Sequence, residues 1–189
     1  MDLTIDNVRQ DIARRLHGAA SDRHSPMHTP VIATSDADAR IMVLRDFDEP
    51  AWTLRFHTDA RSPKTAVIGD GGPVGVLFYD RVEKVQIRCR GTGRIEQGTA
   101  LADRAWSTSD NFARRCYLGA PPGETREEPS SGLPDWIEGQ RPTEEQLAPA
   151  RSNLAVLIVE IEEADWYYLS NGGHRRALID RDGGRWITP

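Results

Sequence analysis

The sequence contains little cysteine and no long apolar segment. Its 189 residues include only two cysteines, Cys89 and Cys116, which form neither a CxxC pair nor a Cys/His spacing typical of a metal site. Isolated cysteines of this kind favour free thiols in a reducing compartment over a disulfide. No apolar run reaches the roughly 18 residues that cross a bilayer, and no signal-peptide core is recognisable. We therefore expect a cytoplasmic protein with no membrane partner.

An excess of positive charge and the common catalytic motifs are also missing. The net charge of −5 at pH 7 argues against a nucleic-acid partner, because such proteins concentrate positive charge. The sequence contains no P-loop, no GxSxG elbow and no HExxH motif. The glycine-rich stretch "GDGGPVG" precedes a strand pattern rather than a helix, so it predicts a turn. These patterns predict neither a metal site nor a catalytic residue.

Hydrophobic periodicity predicts an N-terminal helix followed by strands. Apolar residues at helical spacing predict an amphipathic helix over residues 6–20. The period then changes to two, which is typical of half-buried strands, and short turns favour antiparallel neighbours. Strands are predicted at residues 30–34, 40–46 and 51–58, and again in "VGVLFYD" and "KVQIRCRGTGRIEQ". A short helix is predicted at residues 63–68, where Pro63 suits the first turn.

The second half of the chain adds a helix, a long loop and the last strands. Residues 99–118 predict a helix, and the proline- and glycine-rich residues 119–141 predict a loop. A long apolar strand and a hairpin with its turn at residues 180–184 complete the chain. We expect one mainly β domain over residues 1–189, with flanking helices and a barrel formed by residues 29–98 and 152–189. A barrel is the natural way for such a sheet to remove its edges.

Hydroxyl and basic side chains gather where a strand is followed by a helix. In "RFHTDARSPKTAVI", Thr58, Ser62 and Lys64 would place donors around an anion, together with the first N–H groups of the helix. The same residues also fit a helix N-cap at Ser62 and a solvated charge at Lys64. The spacing alone leaves both interpretations open.

Three further groups are ambiguous when each is taken singly. Arg40 and Arg45 stand at the two ends of the apolar strand "ARIMVLRD". Gln86 lies on the polar face of an alternating strand, where it could bind the edge of a heterocycle or face solvent. "GGHRR" contributes Arg175 and Arg176, which are either anion ligands or surface charges.

The order of these features along the chain resembles the pyridoxamine 5'-phosphate oxidase-like family. The shared series is an Arg that opens an apolar strand, a Thr that ends the next, Ser-x-Lys at a helix start, a Gln before Gly91, and a C-terminal His-Arg. The resemblance implies an FMN-binding split β-barrel of about six antiparallel strands. It also implies a homodimer that holds FMN at the subunit interface.

The resemblance implies a set of FMN-binding residues. The phosphate would be bound by Arg40, Thr58, Ser62 and Lys64, and Arg61 would replace the family arginine that Pro63 displaces. The flavin ring would lie along Met42 and Val43, with Gln86 as a hydrogen-bonding partner. The full predicted set is Arg40, Ile41, Met42, Val43, His57, Thr58, Arg61, Ser62, Lys64, Gln86, Ser131 and Arg176.

The resemblance further implies an FMN-dependent oxidoreductase that passes a hydride from its substrate to flavin N5, with oxygen or another acceptor. Arg45 and Arg175 match substrate-binding positions, and a phosphorylated B6 vitamer is one candidate substrate. Ala177 and Ile179 replace the other two C-terminal positions of the oxidase itself. Two alternatives remain: a reductase of another small molecule, and a non-enzymatic module that binds flavin or haem.

The long loop and the tryptophans are expected to contribute to the dimer. In relatives a loop such as residues 119–141 reaches the partner's flavin, which makes Ser130 and Ser131 candidates for contacts across the interface. Trp136, Trp166 and Trp186 are the tryptophans that we expect at the interface.

Overall fold

The computed structural model describes residues 3–189. Over this range the backbone forms five α-helices and nine antiparallel β-strands in one sheet. The helices are α1 (Ile5–Ser21), α2 (Pro63–Ile68), α3 (Ala100–Thr108), α4 (Asn111–Arg114) and α5 (Glu144–Leu147). The strands are β1 (Val31–Thr34), β2 (Ala39–Ile41), β3 (Leu44–Asp48), β4 (Thr53–Asp59), β5 (Gly72–Asp80), β6 (Val85–Gln97), β7 (Leu154–Tyr168), β8 (Arg175–Asp180) and β9 (Gly184–Trp186). The predicted fold class is confirmed, with nine strands rather than about six.

Helix α1 packs its apolar face on the sheet. It begins after a capping box, in which the Thr4 hydroxyl accepts from the Asn7 N–H and the Asn7 side chain accepts from the Thr4 N–H. Val8, Ile12 and Leu16 are fully buried in the core between this helix and the sheet. The helix is one residue longer at each end than the prediction of residues 6–20. None of the helices within residues 3–189 is long and apolar enough to cross a membrane.

Strand β7 organises the sheet. One edge pairs with β6, while the other edge is divided between β4, opposite residues 154–160, and β8, opposite residues 163–168. The remaining order is β2–β1–β5–β6 on one side and β4–β3 on the other. Because one long strand serves two neighbours in turn, the sheet curls into a half-barrel.

The predicted second strand, residues 40–46, is divided in the structure. β2 ends at Ile41 and β3 begins at Leu44, since β2 pairs with β1 whereas β3 pairs with β4. Met42 N–H donates to the Pro30 carbonyl at 3.1 Å across the break. Apolar periodicity continues through this segment, so the change of partner is a tertiary effect. The break brings Met42 and Val43 to the wall of the cavity described below.

The predicted helix at residues 99–118 is also interrupted. Helix α3 ends at Thr108, and Asp110 caps α4 through a hydrogen bond from the Phe112 N–H at 2.8 Å. A 3₁₀ turn, Arg115–Leu118, follows. Asp110 is a strong N-cap, which explains why a new helix starts at this point. The interruption turns the chain so that Arg114 and Tyr117 face the end of β4.

The tryptophan prediction is wrong for Trp166. Its side chain is 4% exposed within a single protomer, and its indole N–H donates to the Asp11 carboxylate at 2.9 Å. Trp166 is therefore part of the core beneath α1. Trp136 and Trp186 are 52% and 44% exposed.

Candidate functional site

A cavity of about 400 Å³ lies where the β2–β3 break, the end of β4, the start of α2 and the α3–α4 segment meet. This volume lies within the range of small-molecule sites in proteins. Eight of the residues predicted to bind FMN or substrate line it: Arg40, Ile41, Met42, Val43, Arg45, His57, Thr58 and Lys64.

One end of the cavity carries the hydroxyl and basic groups of the strand-to-helix junction. Thr58 is buried at the end of β4, and Lys64 lies in the first turn of α2. Ser62 occupies the N-cap position of α2, yet its side chain makes no capping hydrogen bond. Its hydroxyl instead accepts from the Lys64 ammonium at 2.6 Å. The N-cap interpretation of Ser62 therefore holds for its backbone position but not for its side chain.

Positive charge at this end is only partly neutralised. Arg40 donates to the Thr34 hydroxyl at 2.8 Å and pairs with Asp38. Burial lowers the pKa of Lys64, and the neighbouring Arg40 guanidinium lowers it further. Within residues 3–189, Lys64 forms no ion pair with a carboxylate, and its ammonium donates to the Ser62 hydroxyl instead. A cation that is half-buried beside another cation is stabilised by an anionic ligand, so this end of the cavity is suited to a phosphate.

Arg45 reaches the cavity because of a β-bulge. The β3–β4 register shifts between Leu44 and Asp46, which leaves Arg45 as the extra, unpaired residue. Bulges of this kind redirect a side chain away from the regular alternation of a strand. Arg45 and Arg40 can therefore line one cavity although an odd number of residues separates them.

His57 lines the cavity and is uncharged at neutral pH. Burial lowers its pKa from the ordinary 6.5 to about 4, with Arg45 and then Arg55 adding to the effect. A neutral imidazole can accept or donate a hydrogen bond without adding charge beside a flat ring.

We predict that His57 makes the cofactor-free protein sensitive to acid. Its folded-state pKa of about 4 lies below the unfolded value near 6.5, so the unfolded chain binds a proton first as the pH falls. The contribution of neutral His57 to the free energy of unfolding should therefore be fully present above about pH 6.5. It should be lost between about pH 6.5 and pH 4, by about 2 kcal/mol after allowance for partial exposure. Urea unfolding of wild type and His57→Gln across this window measures the effect. An equal loss in both proteins would contradict the assignment.

The opposite end of the cavity was not predicted from the sequence. It is lined by Ser109, Arg114, Cys116, Tyr117 and Pro122. Arg114 is only 4% exposed, donates to Asn111 at 2.5 Å and to Glu144 at 2.6 Å, and its Nε has no hydrogen-bond partner among the described residues. Burial raises the pKa of the Cys116 and Tyr117 side chains, so both stay protonated at neutral pH. The only sequence signal was the Arg-Arg pair in "NFARR", which does not indicate the buried one.

Arg61 contacts the site without lining the cavity. Its guanidinium donates to both carboxylate oxygens of Asp59, at 2.9 and 2.6 Å, and to the Gly119 carbonyl at 2.9 Å. Asp59 lines the cavity. The structure therefore places Arg61 where it offsets a carboxylate that would repel a phosphate.

The other predicted residues lie elsewhere on the protomer. Gln86, in β6, stands opposite Tyr167 of β7, which in turn stands opposite Arg176 of β8. Arg176 donates to both oxygens of Asp165, at 3.0 and 2.8 Å. Ser131 is exposed in the long loop, where its hydroxyl accepts from the Leu133 N–H, and Arg175 is exposed at the start of β8. A single protomer does not bring this group to the cavity.

A comparison with family models matches residues 9–97 to the pyridoxamine 5'-phosphate oxidase, FMN-binding domain. Residues 9–97 therefore carry the sequence pattern of this FMN-binding domain. The matched residues include the β2–β3 break, the end of β4 and α2, which together form the phosphate-suited end of the cavity. The predicted family is confirmed, and its FMN-binding character supports FMN as the cofactor.

Solved structures place this FMN-binding domain in a known fold. A pyridoxamine 5'-phosphate oxidase-related, FMN-binding protein from Nostoc punctiforme is 22% identical, with a TM-score of 0.70, and the alignment covers 96% of both chains. PhzG from Burkholderia lata 383 is 18% identical, with a TM-score of 0.68, over 100% of this chain and 98% of PhzG. A protein related to general stress protein 26 from Clostridium acetobutylicum is 10% identical, with a TM-score of 0.57, over 96% of this chain and 98% of that protein. No curated protein matches the chain.

The residues of the cavity fit FMN. A dianionic phosphate needs fixed cations and hydroxyl donors, which Arg40, Thr58 and Lys64 provide at one end. A flat heterocycle needs apolar walls and a few hydrogen-bonding groups, which Met42, Val43 and His57 provide. The decisive observation for this fit is that Lys64, half-buried beside Arg40, forms no ion pair with a carboxylate within residues 3–189.

Proposed function

We propose that this protein is an FMN-dependent oxidoreductase that acts as a homodimer with FMN at the subunit interface. One observation carries the proposal: a single cavity is lined by three of the predicted phosphate ligands, Arg40, Thr58 and Lys64, and by the β2–β3 break. Arg40, Lys64 and Thr58 hold the phosphate, and Ser62 holds the Lys64 ammonium in place. FMN, when bound, supplies the acceptor for a hydride from the substrate, with oxygen or another oxidant restoring it.

The location of the remaining predicted residues supports the dimer. Gln86 and Arg176 lie in one cross-strand row that also contains the 43%-exposed Tyr79. Ile41 and Leu77, which are 68% and 36% exposed, extend an apolar surface from this row towards the cavity. Exposed apolar surface of this kind favours a protein partner. A second copy packed by two-fold symmetry would bring its Gln86 and Arg176 towards the flavin of the first.

We propose a small substrate with an anionic group. Arg45 and Arg114 place two guanidiniums on the cavity wall away from the phosphate end. PhzG, which shares the fold, is described in complex with tetrahydrophenazine-1-carboxylic acid, a carboxylate-bearing molecule. A phosphorylated B6 vitamer also meets this requirement. However, Ala177 and Ile179, at two substrate positions of the oxidase itself, are fully buried in the core and offer no polar group.

Cofactor extraction tests the proposal that the protein binds FMN. The purified protein should be yellow, and the heat-released cofactor should have the mass and retention time of FMN. If the purified protein is colourless, it should take up added FMN in a one-to-one ratio per protomer, with quenching of flavin fluorescence. Release of haem, or no binding of FMN at micromolar concentrations, would contradict the proposal and favour the non-enzymatic alternative.

Oxidase assays test the proposal that the protein is an oxidoreductase with a small anionic substrate. Peroxide production on adding pyridoxamine 5'-phosphate would identify a B6-phosphate oxidase. The loss of polar groups at Ala177 and Ile179 favours a different anionic substrate, in which case the flavin should be bleached anaerobically by other small donors or reoxidised by small electrophiles. A flavin that no tested donor reduces would contradict the enzymatic proposal.

A further inference from the structure

Thr34 is a buried hydroxyl on the inner face of the sheet. In β1 the side chains of Ile32 and Thr34 point inward and are 0% and 7% exposed. Arg40 stands opposite Ile32 in the neighbouring strand, so it shares this face with Thr34. A hydroxyl in such a position requires hydrogen-bond partners, because burying it without them is costly.

The hydrogen bonds of Thr34 connect Arg40 to a carboxylate. Arg40 Nη1 donates to Thr34 Oγ1 at 2.8 Å, and Thr34 Oγ1 donates to Asp36 Oδ1 at 2.6 Å. The directions are fixed, because a guanidinium only donates and an ionised carboxylate only accepts. The Thr34 hydroxyl also lowers the pKa of Asp36, which keeps that carboxyl ionised at neutral pH. A lone pair of Thr34 is thereby held towards Arg40.

The other contacts of Arg40 constrain it less. Its Nη2 pairs with Asp38, whose side chain is 65% exposed, so water competes for that carboxylate and weakens the pair. Its Nη1 lies 3.4 Å from the Ile32 carbonyl, which makes a weak hydrogen bond. A guanidinium has five N–H groups, so these contacts leave donors for a ligand.

We propose that Thr34 is a positioning residue that orients the Arg40 guanidinium for the phosphate of FMN. This inference rests on the proposed function, since it requires FMN phosphate at Arg40. A guanidinium that is already oriented loses less conformational entropy when the ligand binds. The contact concerns only the phosphate end of the cavity, so it affects FMN and leaves riboflavin, which lacks the phosphate, unaffected.

The test compares FMN and riboflavin affinities by fluorescence quenching of the cofactor-free dimer. Thr34→Val keeps the shape of the side chain and removes the hydroxyl; we expect FMN affinity to fall roughly three- to tenfold and riboflavin affinity to stay within about twofold. Thr34→Ser should restore FMN affinity. Thr53→Val, on β4 and outside the cavity lining, serves as the matched control and should bind both ligands as wild type does.

A double-mutant cycle asks whether Thr34 acts through Arg40. In an Arg40→Ala background, Thr34→Val should cause no further loss of FMN affinity. An equal loss for FMN and riboflavin, an additive loss in the cycle, or no loss at all would overturn the inference. If Thr34→Val does not fold, the exposed Asp36→Asn should give a smaller loss of the same FMN-selective kind, and unchanged affinity there would overturn it. Failure of wild type to bind FMN would instead refute the proposed function.

Discussion

Replacing Lys64 with alanine is expected to weaken FMN binding by roughly 10- to 100-fold, and replacing Arg40 with alanine should weaken FMN binding to a similar extent. Both side chains line the cavity, and Lys64 forms no ion pair with a carboxylate within residues 3–189. The Lys64 charge is therefore available to the phosphate, and Arg40, although it pairs with Asp38, keeps N–H donors for it. Hydrogen bonds to charged groups are stronger than neutral ones. Titration of the cofactor-free protein with FMN, followed by flavin fluorescence, measures the change.

Arg104→Ala is the matched control for this pair. Arg104 is exposed on α3 and does not line the cavity, so its removal changes the net charge equally without touching the site. The FMN affinity of the Arg104→Ala protein should equal that of wild type. Riboflavin affinity should be nearly unchanged in all three variants, because riboflavin carries no phosphate. Wild-type FMN affinity in both Lys64→Ala and Arg40→Ala would show that the phosphate binds elsewhere.

Gly91→Ala is expected to destabilise the fold by at least about 3 kcal/mol. A Cβ atom at Gly91 would lie 1.9 Å from the Glu160 carbonyl oxygen, which is backbone and cannot rotate away. The clash falls where the β6–β7 register shifts, between Arg90 and Gly91, in the pair of strands that forms the centre of the sheet. Relief would require the two strands to separate. Thermal unfolding and soluble yield measure the loss.

Gly18→Ala provides the control for glycine replacement. Gly18 lies in α1, and a Cβ atom there would have no other atom within 4 Å. Alanine is favoured over glycine in a helix, so this variant should be more stable by about 0.5–1 kcal/mol. A Gly91→Ala protein that unfolds at the wild-type temperature would contradict the strand geometry at the bulge.

Local signals in the sequence were sufficient to predict much of the fold. Helix α2 has the predicted bounds of residues 63–68, because Pro63 marks its start and the glycines after Ile68 end it. The alternating strands and the mainly β class were also predicted. The break between β2 and β3 was not, because Met42 and Val43 continue the apolar pattern while the chain changes its pairing partner.

The residues of the site were predictable only through the family resemblance, because each of them is ambiguous when taken alone. Taken alone, Ser62 fits a helix cap as well as a lysine partner, and only the structure shows its hydroxyl accepting from Lys64. Arg114 carried no usable signal, since its burial depends on the α3–α4 interruption and on contacts with Glu144, 30 residues away. The hydrogen bond from Arg61 to Asp59 likewise depends on side-chain geometry, which sequence spacing does not specify.

The most direct test of the central claim is a crystal structure of the protein grown with FMN. The account predicts that the phosphate lies within hydrogen-bonding distance of the Lys64 ammonium and the Arg40 guanidinium, with the flavin ring along the Met42–Val43 backbone. FMN bound at another surface, with this cavity filled by side chains or by a different ligand, would contradict it.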